Sequence, residues 1–155
     1  MKTIESLVAE HDLFQGLDEG YLRLIAGCGS NVHFAEARYL FRQGEEADCF
    51  FAIREGRVAL QVFVPERGPM TIQTVGAGEI VGWSWLFPPH YWQFDGLAVE
   101  PVRATVFDGA CLRRKCDEDP ALGYDLMKRL ARVVSRRLEA TLLQVLDVYG
   151  PARPR

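Results

Sequence analysis

The sequence has no apolar run approaching the ~20 residues that a membrane-spanning helix needs, and its first residues, MKTIESLVAEHDLF, carry acids where a secretory leader would be apolar. A soluble, cytoplasmic protein is expected. Histidine is scarce: His11, His33 and His90 are the only three, and none stands in an H-x-H pair. The donor set of a cupin metal enzyme is therefore missing, and no metal site is expected. A Gly-x-Ser-x-Gly elbow and a P-loop are absent as well, and no pair of side chains reads as a catalytic constellation, so the chain is expected to be non-enzymatic. A formal charge of −3 supplies no excess of cations for nucleic acid. Cys28, Cys49, Cys111 and Cys116 form no C-x-x-C pair, which favours reduced thiols over a metal or iron–sulfur site. Only Cys111 and Cys116, five apart, have a spacing that would suit a thiol switch.

What is present is the composition of one globular domain. The 155 residues are 48% hydrophobic and 25% charged, enough to bury roughly 70% of the surface of the extended chain without staples. Three blocks are expected within a single domain spanning 1–155. In residues 1–30, Leu7, Phe14, Leu17, Leu22, Leu24 and Ile25 fall at roughly helical spacing, broken near Gly16 and ended by Gly27 and Gly29, which predicts two short helices. Residues 31–110 change period. Short segments rich in β-branched and aromatic residues (YLF, CFFAI, RVALQVFV, MTIQTV, RATVFD) alternate with turn signals about every ten residues, which predicts a mainly β, jelly-roll barrel.

Residues 117–149 predict a long helix started by Asp119-Pro120, with aspartate as cap and proline in the first turn, and ended by Gly150 and the tail Pro151, Ala152, Arg153, Pro154, Arg155. Met127, Leu130, Val134, Leu138, Thr141, Val145 and Val148 recur three or four apart as one seam, and Leu142, Leu143, Leu146 and Tyr149 add a second apolar surface beside it. One stripe suffices to rest on the chain's own barrel, so the second predicts a homodimer through this helix; the alternative is deeper burial in the same domain. Arg129, Arg132, Arg136 and Arg137, with Arg113, Arg114 and Lys115, read as a solvated charged face beside Asp125 and Glu139.

In that order, these elements resemble the cyclic nucleotide-binding domain of the catabolite activator and FNR superfamily. The resemblance rests on YLFRQGEEADCFFAIREGRVALQV, with its turn at Gly44-Glu45 and hairpin glycine Gly56, on VGAGEIVGWSWLF, and on LAVEPVRATVFD. It implies a double-stranded β-helix barrel with short N-terminal helices and a long C-terminal dimerisation helix. It also implies a phosphate-binding cassette, in which backbone amides and an arginine hold the cyclic phosphate and a glutamate accepts from the ribose. The candidate pocket is then Gly82, Trp83, Ser84, Trp85, Leu86, His90, Tyr91, Trp92 and Gln93.

Laid on this pattern, the family's glutamate falls on Trp83 and its arginine on Trp92 or Gln93, and no Arg or Lys lies between Arg67 and Arg103. A charged hydrogen bond is worth about 1.5–3 kcal/mol and a lost buried charge partner about 2–5 kcal/mol, so affinity should fall on the order of 10³-fold or more. No cofactor is expected, and cyclic nucleotide is disfavoured. Two readings of Trp83, Trp85, Tyr91, Trp92 and Phe94 stay open: rings lining a cavity for a flat ligand, or rings filling the space a nucleotide would take. Pro88-Pro89 should stiffen the loop, and His90 is its most notable polar group. In the family's transcription factors a helix-turn-helix domain follows the long helix. Here the sequence runs five residues past Gly150, so no DNA binding is expected. The expected function is a regulatory or sensor module with a degenerate cassette, acting through dimerisation and an unknown protein partner; the alternative is a genuine cAMP- or cGMP-binding regulator whose backbone amides carry the phosphate alone.

Overall fold

A computed structural model describes residues 1–150; the Pro151–Arg155 tail expected to help end the last helix lies outside the described residues. Thr3 caps α1 (Ile4–Glu10) by accepting from the Ser6 amide, and Asp18 caps α2 (Glu19–Ala26) by accepting from the Gly20 amide. A 3₁₀ turn, Asp12–Phe14, lies between them. Eight strands follow: β1 (Gly29–Phe34), β2 (Tyr39–Phe41), β3 (Cys49–Glu55), β4 (Val58–Val64), β5 (Gly68–Val75), β6 (Ile80–Val81), β7 (Asp95–Ala98) and β8 (Val102–Asp108). They form two antiparallel four-stranded sheets, ordered β1-β8-β3-β6 and β2-β7-β4-β5, which face each other as the jelly-roll barrel.

Strand β3 explains why CFFAI reads as a continuous apolar run rather than an alternating one. Phe50 and Ala52 point out to the helices, while Phe51 and Ile53 point into the barrel, so both faces are buried. The molecule thus has two cores. The outer one joins Val8, Phe14 and Ile25 to Phe50, Trp85, Phe107, Leu112, Leu122 and Leu126; the inner one fills the barrel with Phe41, Phe51, Ile53, Val58, Val81, Trp92 and Val102. Gly56 closes the β3–β4 hairpin at φ +90°, and a Cβ there would stand 2.2 Å from the Pro101 carbonyl oxygen, so only glycine fits.

After β8 the chain forms α3 (Gly109–Glu118) and α4 (Pro120–Tyr149). The expected barrel boundary at 110 therefore falls inside a helix. Asp108 caps α3 through the Cys111 amide at 2.7 Å, and Asp119 caps α4 through the Leu122 amide at 3.2 Å, with Pro120 in the first position. Among the described residues no helix is long and apolar enough to cross a membrane.

Three expectations change here. Cys28 and Cys111 are joined as a disulfide, 83 residues apart in sequence, where reduced thiols were expected. The antiparallel β1–β8 pair brings them together: the Asp108 amide donates to the Cys28 carbonyl at 2.9 Å, placing the first turn of α3 over the start of β1. Cys111 is thus not a switch partner of Cys116. Cys116 and Cys49 remain free; burial and neighbouring acids raise both thiols, Cys49 to about 12. Second, Leu130 of the expected dimer seam is buried in its own chain's outer core, and Met127 packs partly against that core. Third, Arg129 and Arg137 do not belong to a solvated face. Arg129 bonds Asp125 and donates to the carbonyls of Leu13 and Gln15, and Arg137 donates to the Ile80 carbonyl.

Candidate functional site

The cassette region begins where β6 ends. Gly82 has φ +97°, and a Cβ on it would lie 2.6 Å from the Trp92 ring, so the glycine is what lets the indole come this close to the backbone. Trp83 follows, then the 3₁₀ turn Ser84–Leu86, then the loop through the cis Pro88-Pro89 bond to His90, which has φ +58°. A short ladder ties the return of this loop to residues 44–47. The Ala47 amide donates to the His90 carbonyl at 2.6 Å, the Trp92 amide to Glu45 at 2.9 Å, and the Gly44 amide to Trp92 at 2.8 Å. Beyond it, the buried Asp95 carboxylate accepts from the Gln43 amide at 2.7 Å and Arg42 Nε at 3.3 Å.

This framing sends the aromatic residues to different places. Trp92 is buried inside the barrel, stacked on Phe41 with ring centroids 3.9 Å apart and planes 15° apart. Trp85 points the other way, into the outer core, stacked on Phe50 at 5.4 Å, while Phe50 stacks on Phe107 at 4.8 Å. The Trp85 carbonyl accepts from Arg113 of α3. Trp83 and Phe94 are half-buried and Tyr91 is exposed. Of the candidate pocket residues, Gly82, Trp83, Ser84, Trp92 and Gln93 line one cavity, together with Phe41, Leu60, Phe94 and Arg137, while Trp85, Leu86, His90 and Tyr91 do not reach it. That cavity holds only about 50 Å³.

Sequence reasoning missed Arg137 at this site. No cation lies nearby in the cassette's own segment, but α4 brings one from the opposite side: the guanidinium carbon sits 5.2 Å from the centre of the Trp83 ring. Its Nη1 is buried without a hydrogen-bond partner among the described residues, and burial lowers its pKa against the opposing pull of Glu79. The signal was present in the helical period, because Arg137 lies four residues after Val133 and seven after Leu130, both packed toward the chain's own core.

The comparisons with known proteins bear on this geometry. The family model "Cyclic nucleotide-binding domain" matches residues 31–119, from β1 to the cap of α4. The chain belongs to the cyclic nucleotide-binding domain family. A candidate cyclic nucleotide-binding protein from Geobacter metallireducens is 30% identical, with a TM-score of 0.76 over 89% of this chain and 99% of that one. The catabolite activator protein of Thermus thermophilus shares the fold at 21% identity and TM-score 0.70, covering 90% of this chain and 63% of that one. Among curated proteins, the CRP-like cAMP-activated global transcriptional regulator of Mycobacterium tuberculosis is 23% identical over 145 residues, 94% of this chain. The chain spans 63% of the length of that relative. As a cyclic nucleotide-binding domain, this chain is a jelly roll followed by a long helix, and it places an indole in the barrel interior beside Gly82.

Proposed function

We propose that this is a non-enzymatic regulatory module of the cyclic nucleotide-binding type that works without a cyclic nucleotide in its barrel and signals through α4, as a homodimer and toward a protein partner. One observation carries the reading: Trp92, stacked on Phe41 and fixed by the backbone ladder to residues 44–47, leaves about 50 Å³ beside the cassette. Small-molecule sites usually offer about 300–1,000 Å³. The sequence adds that the positions matching the family's glutamate and arginine carry Trp83 and Trp92 or Gln93, and the cation that does line the cavity, Arg137 of α4, is turned onto the Trp83 ring and the Ile80 carbonyl.

The output side rests on the far half of α4. Leu138, Leu142, Leu143, Val145, Leu146, Val148 and Tyr149 are 46% to 83% exposed, a continuous apolar surface of the kind that marks association. A second copy suits it because the surface lies along one helix, and two such helices bury matching residues about a twofold axis. Calorimetric titration of the folded protein with cAMP and with cGMP tests the input side. No heat with either nucleotide is the expected result, and micromolar binding of either would overturn the reading in favour of a second-messenger sensor.

A further inference from the structure

A second, larger cavity of about 560 Å³ lies outside the barrel, between α4, the turn Gly76–Ile80 and the 3₁₀ turn at Asp12. Its α4 wall carries Arg129, Arg132, Arg136 and Arg137. Arg129 is already committed to Asp125 and to the carbonyls of Leu13 and Gln15. Arg132 and Arg136, one turn apart and exposed, have no carboxylate within ion-pair distance among the described residues. Arg137 adds the buried Nη1 that lacks an acceptor. The opposite wall holds two acids. Glu79 is turned onto its own loop, accepting from the Gly76 amide at 2.7 Å, whereas Asp12 rests against Gly78 with no hydrogen-bond donor on its carboxylate among the described residues.

Two exposed guanidinium groups, a third whose buried Nη1 lacks an acceptor and one unused carboxylate line the same cavity, which suits a ligand with an anionic end and a hydrogen-bond donor. Guanidinium pairs favour phosphate, which accepts several charge-assisted bonds at once. A carboxylate facing the same cavity would repel a bare polyanion and bind a hydroxyl. We propose that this groove is a ligand site for a hydroxylated phosphate ester of the sugar phosphate class, with Arg132, Arg136 and Arg137 on the phosphate and Asp12 accepting from a hydroxyl.

The site goes beyond the reading of the barrel and is independent of it. At about 100° per residue, Val134, Leu138 and Leu142 lie away from Arg132 and Arg136, and Leu143 and Leu146, though on the arginine side, lie about two turns beyond Arg136, so a dimer along the far half of α4 leaves the groove open. Arg137 belongs to both cavities and lies over Trp83, so a phosphate that engages its free nitrogen alters the surroundings of that indole.

The test is titration of the native chain with glucose 6-phosphate at low ionic strength, followed by calorimetry and tryptophan fluorescence, with inorganic phosphate and glucose as separate arms. Saturable binding with a fluorescence change is expected for glucose 6-phosphate, weaker binding for phosphate and none for glucose. Arg132→Gln and Arg136→Gln, both at exposed positions, should each weaken it about 10-fold. Absence of binding up to about 10 mM, or binding that the two variants leave unchanged, sinks the site. Phosphate binding as tightly as the ester removes the hydroxyl from Asp12 and overturns the proposed ligand class. Cyclic nucleotide binding that survives both variants would count against the barrel reading alone, so the two failures are distinguishable.

Discussion

The two ends of α4 share one apolar period and meet different surroundings. Over its first turns, Leu122, Leu126 and Leu130 are buried in the outer core with Phe14, Phe107 and Leu112, and Arg129 is tied to the 3₁₀ turn at Leu13. From Leu138 on, the apolar side chains turn to a face that the chain leaves open: Leu138, Leu142, Val145 and Tyr149 are exposed. The changeover lies at Thr141, whose hydroxyl takes the last firm contact from the β5 side chain Gln73 at 3.1 Å, with only a 3.4 Å bond from Gln144 to the Ile72 carbonyl beyond it. A periodic stripe thus reports that a helix face is apolar, and position around the helix decides whether the chain itself covers it: Arg137, Thr141 and Gln144 face β5 and β6, while Leu138 and Leu142 lie on another face. The near end is buried in the chain's own core, and the far end is the surface we propose for association.

Leu126→Ala strikes the near end hardest. A fully buried leucine truncated to alanine should cost ~3–5 kcal/mol, read as a lower urea midpoint with an unchanged slope. Opening the Cys28–Cys111 disulfide attacks the same end through α3. Reduction, or the Cys28→Ser and Cys111→Ser pair, should cost ~2–4 kcal/mol in thermal unfolding, and an unchanged Tm would mean the bridge constrains little. At the far end Val145→Glu should leave the circular dichroism spectrum intact while sedimentation moves from dimer to monomer mass. A dimer that persists would show that the exposed half of α4 is not the seam.

The smallest effect is a pH dependence centred on His11, which sits under the turn at Glu79. Burial lowers its pKa from 6.5, and its Nδ1 accepts from the Leu13 amide at 3.2 Å, so the folded chain holds it neutral. The unfolded chain takes up the proton first. Stability from this group is therefore full above about 6.5 and falls as the pH drops below it, ceasing to fall once the folded chain is protonated too. In His11→Gln that decline should flatten in urea titrations between neutral and mildly acid pH.

The jelly roll was legible because its strands are short, β-branched and set off by turn signals, and α4 because Asp119-Pro120 marks its start. Helix α3 was not, since GACLRRKCDE is short and carries one fully buried apolar side chain, Leu112, among charges. The disulfide was hidden for a different reason: its cysteines meet only through the β1–β8 register. At the turn after β6 the sequence showed Trp83 and Trp92 but not Arg137, which α4 brings to the same cavity. Which of the indoles fills the barrel could not be read either, because Trp85 and Trp92 are both apolar, and only the ladder at residues 44–47 turns one inward while the outer core takes the other.

Trp85, which follows Gly82 and Trp83 in the chain, stacks on Phe50 in the outer core, and its carbonyl accepts from Arg113 of α3. The cassette and the root of the long helix therefore share one mechanical ground. Any coupling between two sites is reciprocal, so a ligand that shifted the packing of α4 would have its own affinity shifted by a protein gripping α4, by the same free energy. A partner seated on the last turns would act on the pocket as an effector without ever touching it.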